Sequence, residues 1–483
     1  MLGMKDEPMS NATPTPPSQL TGLFLGAGAS YELCMPLVWG LTKELKEWLT
    51  PEKVREINER LDNKSEAHPD EVLSDLIDVL ARDEMHYEAV LGYLETRSKH
   101  SLLEDPYARD YYGLYVWIVE LVYWLLYFRH VKNVEAITLR LRYFDGIAGL
   151  AAGNSPLWIF SLNHDLVTEC LAVHYAIPLS SGFTSKTTLP RRDKTGKVIG
   201  ELQAETISEK EFTESGPSFL ARGTYGINLL KIHGALDLFT FRDGKDLLKL
   251  LPVTPDVPGV IESLRIANEE LLHIEPGWSR PAKATNEIAY MDAQGIMQFL
   301  RRSLLAGAHK FDERHNQVLP RRFLDLFRLN LNNISRLVCI GYGFGDTHIN
   351  AALRAWLERT PSSQLVVVGP GVKNTPPALL HLAPQIDLID KTASDYLEQY
   401  LPHPLTSIER AMKNVCSCSL SMTLPVDPTE QQEVVATIIA QEAFSLAKEM
   451  FSLPQDMIDQ AVQAFATGSS NMYLPTSSPG SAS

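Results

Sequence analysis

A chain of 483 residues, 45% apolar and 21% charged, is too long for one simple core; it has the balance of a soluble globular protein of about two to three domains, or of one heavily decorated domain. Its net charge of −15 argues against an intrinsic DNA or RNA groove, because phosphate binding needs clustered Lys and Arg. Its five cysteines include no C-x-x-C pair, which suits a reducing cytoplasm and gives no zinc ribbon.

Residues 1–19 are polar and rich in Pro, Ser and Thr, so they read as a disordered tail and not as a signal peptide. The strand-like run Leu20–Leu25 then meets Gly26-Ala27-Gly28-Ala29-Ser30. Between a strand and a helix, glycines let backbone N–H groups approach a pyrophosphate, and Ser30 adds a hydroxyl donor. A tight turn without a ligand explains the phrase equally well. Tyr31 stands where a dehydrogenase fingerprint has its third glycine, which disfavours hydride transfer.

A helix over Leu41–Leu49 opens a helical pattern that runs on from Pro51 to about Leu150 and includes Glu71–Ala81 and Tyr87–Thr96. This predicts a helical insertion over about residues 50–150. Within it, Tyr111–Phe128 is almost wholly apolar but short for a membrane span and broken by Glu120, so a buried or subunit-interface helix is expected. His86 and Glu88 lack a third ligand, so no metal is expected there.

The run Leu157–Leu162 ends in Asn163-His164-Asp165. The two-residue spacing puts Asn163 and Asp165 on one face of an extended segment, where they suit a sugar hydroxyl, a carboxamide or a water. An Asx-type cap on the helix Leu166–His174 is the simpler account of the pair. Polar Lys186–Gly223 predicts a hairpin or mobile loop. Asn228–Ile232 leads into His233-Gly234; a histidine there suits proton transfer, although a lone strand-end histidine is more often structural. Asp237–Pro281 shows no clear order of elements.

Arg321–Asn333 reads as a helix feeding the strand Arg336–Ile340, which ends in Gly341-Tyr342-Gly343-Phe344-Gly345-Asp346 with His348 and Asn350 close behind. This second glycine-rich phrase suits the far half of a dinucleotide, lined by Gly341, Gly343 and Phe344. Asp346 suits a ribose or loop-ordering ligand, the N-cap of a helix that starts near Thr347, or both, and Ile349–Arg359 reads as that helix. Gln364–Val368 runs into Gly369-Pro370-Gly371, where Gly369 can border an adenine, and Ile386–Ile389 supplies a last strand. Residues 401–467 read as a helical appendage for docking or oligomerisation, and 468–483 as a low-complexity tail. In an open parallel sheet, ligands bind outside the carboxyl ends of the strands, so the five phrases converge on one crevice. The expected fold class is α/β, a Rossmann-like parallel sheet with a helical insertion and a C-terminal helical appendage.

The ordered set Gly26-Ala27-Gly28-Ala29-Ser30, Ser161-Leu162-Asn163-His164-Asp165, His233-Gly234 and Gly341-Tyr342-Gly343-Phe344-Gly345-Asp346 resembles the sirtuin-like superfamily, and within it the bacterial NADases of anti-phage defence. The resemblance covers roughly residues 20–400, as an NAD-binding catalytic domain. It implies that Asn163 positions water and the nicotinamide ribose, that His233 handles a ribose hydroxyl, and that Asp165 lies near the carboxamide. The glycine phrases take the diphosphate and adenosine. NAD is then the substrate, cleaved to nicotinamide and ADP-ribose, with no metal. Two features depart from the family: nothing here can build the four-cysteine zinc module of the deacetylases, and Cys34-Met35-Pro36 has cysteine where glycine is usual. The alternatives are a non-catalytic NAD or ADP-ribose-binding module and, last, an NAD-dependent deacylase. The resemblance further implies a cytoplasmic homo-oligomer, off the membrane, whose partner is a ring-shaped DNA-translocase ATPase or a short Argonaute protein.

Overall fold

The computed structural model describes residues 20–62, 67–99, 105–242, 245–271, 273, 283–284, 286–307, 310–311 and 319–406, together with Arg410 and Lys413. In chain order its strands are β1 Thr21–Leu25, β2 Leu157–Ser161, β3 Leu179–Ser180, β4 Ser185–Arg192, β5 Val198–Ile207, β6 Ile227–Lys231 and β7 Leu238–Phe241. They continue with β8 Asp246–Leu250, β9 Lys283–Ala284, β10 Glu287–Met291, β11 Met297–Arg302, β12 Arg336–Ile340, β13 Gln364–Val368 and β14 Ile386–Ile389.

β1 is the centre of a seven-stranded sheet of order β14-β13-β12-β1-β2-β6-β3, parallel throughout. Its strands read as continuous apolar runs because helices cover both faces, as parallel sheets require. Alternate side chains divide between two cores. Leu23, Leu25, Ile159, Leu229, Val338 and Val366 pack toward the helices between β1 and β2. Phe24, Phe160, Leu230, Leu337, Cys339 and Leu365 pack toward the helices Arg322–Asn330 and Thr347–Arg359.

The chain leaves β1 for a run of helices that includes Val38–Trp48, Asp70–Ala81, Tyr87–Ser98 and Ala108–Lys132, and returns at β2. Ala108–Lys132 is long and apolar enough to cross a membrane by length and composition, but 61% of its most apolar window is buried inside the fold. Its polar atoms explain why it stays there. Glu120 pairs with Arg302 of β11 at 3.0 Å, and the Arg302 guanidinium lies over the rings of Tyr123 and Trp124. Tyr123 donates to the Leu236 carbonyl, and Tyr127 donates to Glu269 at 2.7 Å.

β4, β5, β8, β7, β11, β10 and β9 form a second, antiparallel sheet. Lys186–Gly223 contributes the β4–β5 hairpin and the helix Glu209–Glu214, the latter closed by a Ser208–Glu211 capping box. Asp237–Pro281, unordered from sequence, contains the β7–β8 hairpin and the helix Val257–Glu269, capped by Asp256. Leu202, Phe239, Leu248, Ile266 and Leu300 form this sheet's own core. Residues 1–19, most of the expected appendage at 401–467 and the tail at 468–483 lie outside the described residues.

Candidate active site

Val368, Ile340, Leu25, Ser161 and Lys231 form one unbroken row of cross-strand partners over five adjacent parallel strands. Each stands at the carboxyl end of its strand, so the phrases that follow open along a single edge of the sheet. The first and fourth phrases lie directly against each other. Gly26 donates its N–H to the Ile340 carbonyl, and Gly28 donates to the Gly341 carbonyl, both at 3.0 Å. A Cβ on Gly341 would stand 2.4 Å from Gly28 Cα, and Gly341 has φ of +63°. These glycines therefore serve first to bring two backbones together, and the Gly26, Gly28 and Ala29 N–H groups are bonded within the protein. Gly341→Ala combines a left-handed backbone with a backbone clash, so a loss of about 2–5 kcal/mol is expected, read as a lowered urea midpoint.

Asn163 follows β2 by two residues. Its side-chain amide donates to the Gly26 carbonyl at 2.9 Å and to Ser30 Oγ at 3.0 Å, which joins the second phrase to the first. With both amide hydrogens engaged, its Oδ1 is the atom it can offer a ligand. Ser30 is buried and its hydroxyl already accepts from Asn163. Asp165 Oδ1 accepts the Val167 N–H at 3.0 Å, so the carboxylate shapes the start of the following helix, as the cap reading anticipates. From β6, Lys231 Nζ donates to the carbonyls of Asn163 and Asp165 and holds the turn from beneath.

His233 follows β6 by two residues and is buried. Gly234 beside it has φ of +82°, and a Cβ there would meet the Ser303 carbonyl at 1.9 Å, so the close approach here is to backbone. His233 Nε2 lies 3.1 Å from His348 Nε2, and the Phe311 ring packs on both imidazoles. Burial, helped by the Lys310 ammonium, holds the His233 imidazole well below its usual basicity. The same two causes put His164 at about 3. Burial brings His348 down to about 4 against the opposing pull of Asp346. All three rings are neutral at neutral pH.

Asp346 occupies the N-cap position of Thr347–Arg359 but makes no side-chain cap bond. Its carboxylate pairs instead with buried Lys310 at 3.2 Å, which also meets Glu88 of the helical layer at 2.8 Å. Asn350 Nδ2 donates to the Phe344 carbonyl, and Tyr342 Oη donates to Asn350 Oδ1. These bonds fasten the turn in which Phe344 takes φ of +57°. Gly343, Gly345 and Gly369 face open space at their Cα positions.

Sequence reasoning assigned no role to Lys231, Lys310, Phe311 or His348. Lys231 and His348 each stand two residues from a chosen residue, a spacing that gives a usable signal. Lys310 and Phe311 reach the site from a distant segment with no local motif. An apolar cavity of about 390 Å³ lies elsewhere, lined by Val131, Val134, Val253, Pro258 and Ile261, and none of the residues chosen from sequence borders it.

No protein-family model matches the chain, and no curated protein matches it. It is similar to solved structures that include two complexes of Sir2 homologues. One is a Sir2 homologue point mutant in complex with ADP-ribose, with TM-score 0.34 and 11% identity over 84% of this chain and 94% of that one. The other is a complex of a Sir2 homologue with NAD, with TM-score 0.33 and 12% identity over 83% and 90%. Likeness at this level decides nothing about chemistry, which has to come from the residues themselves.

Proposed function

We propose that the chain binds NAD across the crevice and hydrolyses its N-glycosidic bond, releasing nicotinamide and ADP-ribose. One observation carries the reading: Asn163 and His233 follow neighbouring strands, each two residues beyond the paired Ser161 and Lys231, with Asn163 bonded to the Gly26 carbonyl and to buried Lys231 and His233 bonded to half-buried His348. Nicotinamide leaves as a neutral molecule from a cationic ring, so no general acid is needed. The protein has to fix the ribose, place one water and stabilise an oxocarbenium-like transition state. Asn163 Oδ1 can accept a hydrogen of that water, leaving an oxygen lone pair to attack. Neutral His233 can accept a hydrogen bond from a ribose hydroxyl, and Asp165 is the candidate for the carboxamide.

Unregulated NAD hydrolysis would be toxic, so the activity belongs to a gated effector, in the proposed setting an anti-phage defence. Oligomerisation, or a partner of the DNA-translocase or short-Argonaute kind, is the proposed gate. A non-catalytic module that senses NAD or ADP-ribose is the second reading, favoured by the internal use of the Gly26 and Gly28 N–H groups. The test is chromatographic release of nicotinamide and ADP-ribose from NAD by the full chain without any acylated peptide. Release supports hydrolysis. Stoichiometric NAD binding without release supports the sensor, and release that requires an acyl-lysine peptide supports the deacylase.

A further inference from the structure

We propose that His233, His348 and Asp346 form a binding site for a divalent transition-metal ion of the zinc class. The three side chains present one ligand atom each, all within 4.8 Å of one another. The two Nε2 atoms are 3.1 Å apart. Two imidazoles bound to one ion at about 2.0–2.1 Å, with angles between octahedral and tetrahedral, bring their nitrogens to about 2.9–3.3 Å. The histidine pair is therefore spaced for a shared ion, with the Asp346 carboxylate within 4.8 Å of both nitrogens.

The surroundings fit as well. Lys310 stands close by, but it lies between Glu88 and Asp346, so one ammonium is set against two carboxylates and the group as a whole is negative. Phe311 packs against both rings. An ion here takes the place of the single hydrogen the two imidazoles otherwise share. This departs from the metal-free site expected from sequence, where 115 residues separate the histidines and no spacing motif joins them.

An ion on His233 Nε2 leaves the ring's proton on Nδ1, so the same imidazole cannot then accept a hydrogen bond from a ribose hydroxyl; metal-bound and NAD-hydrolysing sites are therefore alternatives, and binding is measured without NAD. Full-length protein stripped with a chelator is titrated with Co²⁺, followed by its visible absorption, and with Zn²⁺, followed by calorimetry. One equivalent is expected to bind, with affinity reduced at least about tenfold in both His348→Gln and Asp346→Asn, since each removes one ligand. Thermal melts of both variants establish that they are folded. No saturable binding, or binding undiminished in the two folded variants, overturns the site.

Discussion

Nicotinamide release by Asn163→Ala is expected to fall at least about a hundredfold, the size of effect seen when a preorganised polar group is removed from a reacting centre. The fold should survive. Asn163 is half-buried and its side chain makes two hydrogen bonds, to the Gly26 carbonyl and Ser30 Oγ, so truncation should cost about 1–3 kcal/mol. A circular dichroism melt run beside the activity assay separates the two effects. Asn163→Asp sharpens the result: the carboxylate keeps an acceptor for water but places an oxygen against the Gly26 carbonyl. Its activity should also be low, with a larger loss of stability than the alanine variant. Undiminished release by the alanine variant would remove Asn163 from the mechanism.

The largest stability effect is expected beneath the site. Glu169 lies between Lys249 at 2.9 Å and Lys231 at 3.4 Å, and Asp237 meets Lys249 at 2.5 Å, all four side chains being buried. Glu169→Ala leaves two ammonium groups facing one carboxylate in the interior, which should cost about 3–5 kcal/mol in urea unfolding. Burial alone would raise the Glu169 carboxyl, but Lys231 and Lys249 override it and hold it at about 2. Its stabilising contribution is therefore complete above the ordinary carboxylate pKa of about 4.3 and is lost as pH falls from there toward 2. Asp237 shifts the other way, since its burial outweighs Lys249, and so offsets part of the acid dependence. The variant should show a weaker acid dependence than wild type between pH 5 and pH 2, roughly the range over which a salt-bridged carboxylate loses its contribution. Equal slopes would mean that Glu169 does not carry it.

Five strand ends were legible because each joins a buried apolar run to glycine or a small polar group, and period and punctuation agree there. Arg336–Ile340 and Gln364–Val368 have the bounds read from sequence. Of the antiparallel sheet, only a hairpin within Lys186–Gly223 was legible, and its pairing to the other strands was not. β4 and β5 carry exposed polar residues such as Lys186 and Glu201, and their pairing is set by each other and by β8, not by local composition. β3 has two residues and no signal of its own. In the site, the glycines were legible as places of close approach, but what approaches Gly28 is Gly341, a contact between residues far apart in sequence. The same holds for Lys310, whose partners Glu88 and Asp346 come from two other segments.

The central position of β1 has a consequence for how this protein is made. Thr21 pairs with Arg336, and 336 − 21 leaves 315 residues to be added before that edge of β1 can close. At about 5–20 residues per second, a nascent chain carries Leu23, Phe24 and Leu25 beside an open edge for roughly 15–60 s. The ribosome-bound chain must be shielded over that interval, by its own emerging helices or by a chaperone. Gly341, His348 and Asp346 emerge after all the other strand ends of the parallel sheet except those at Val368 and Ile389. A chain stalled or cut before them lacks the Gly341 turn and the His348 and Asp346 side chains, so the crevice is incomplete until they have been made.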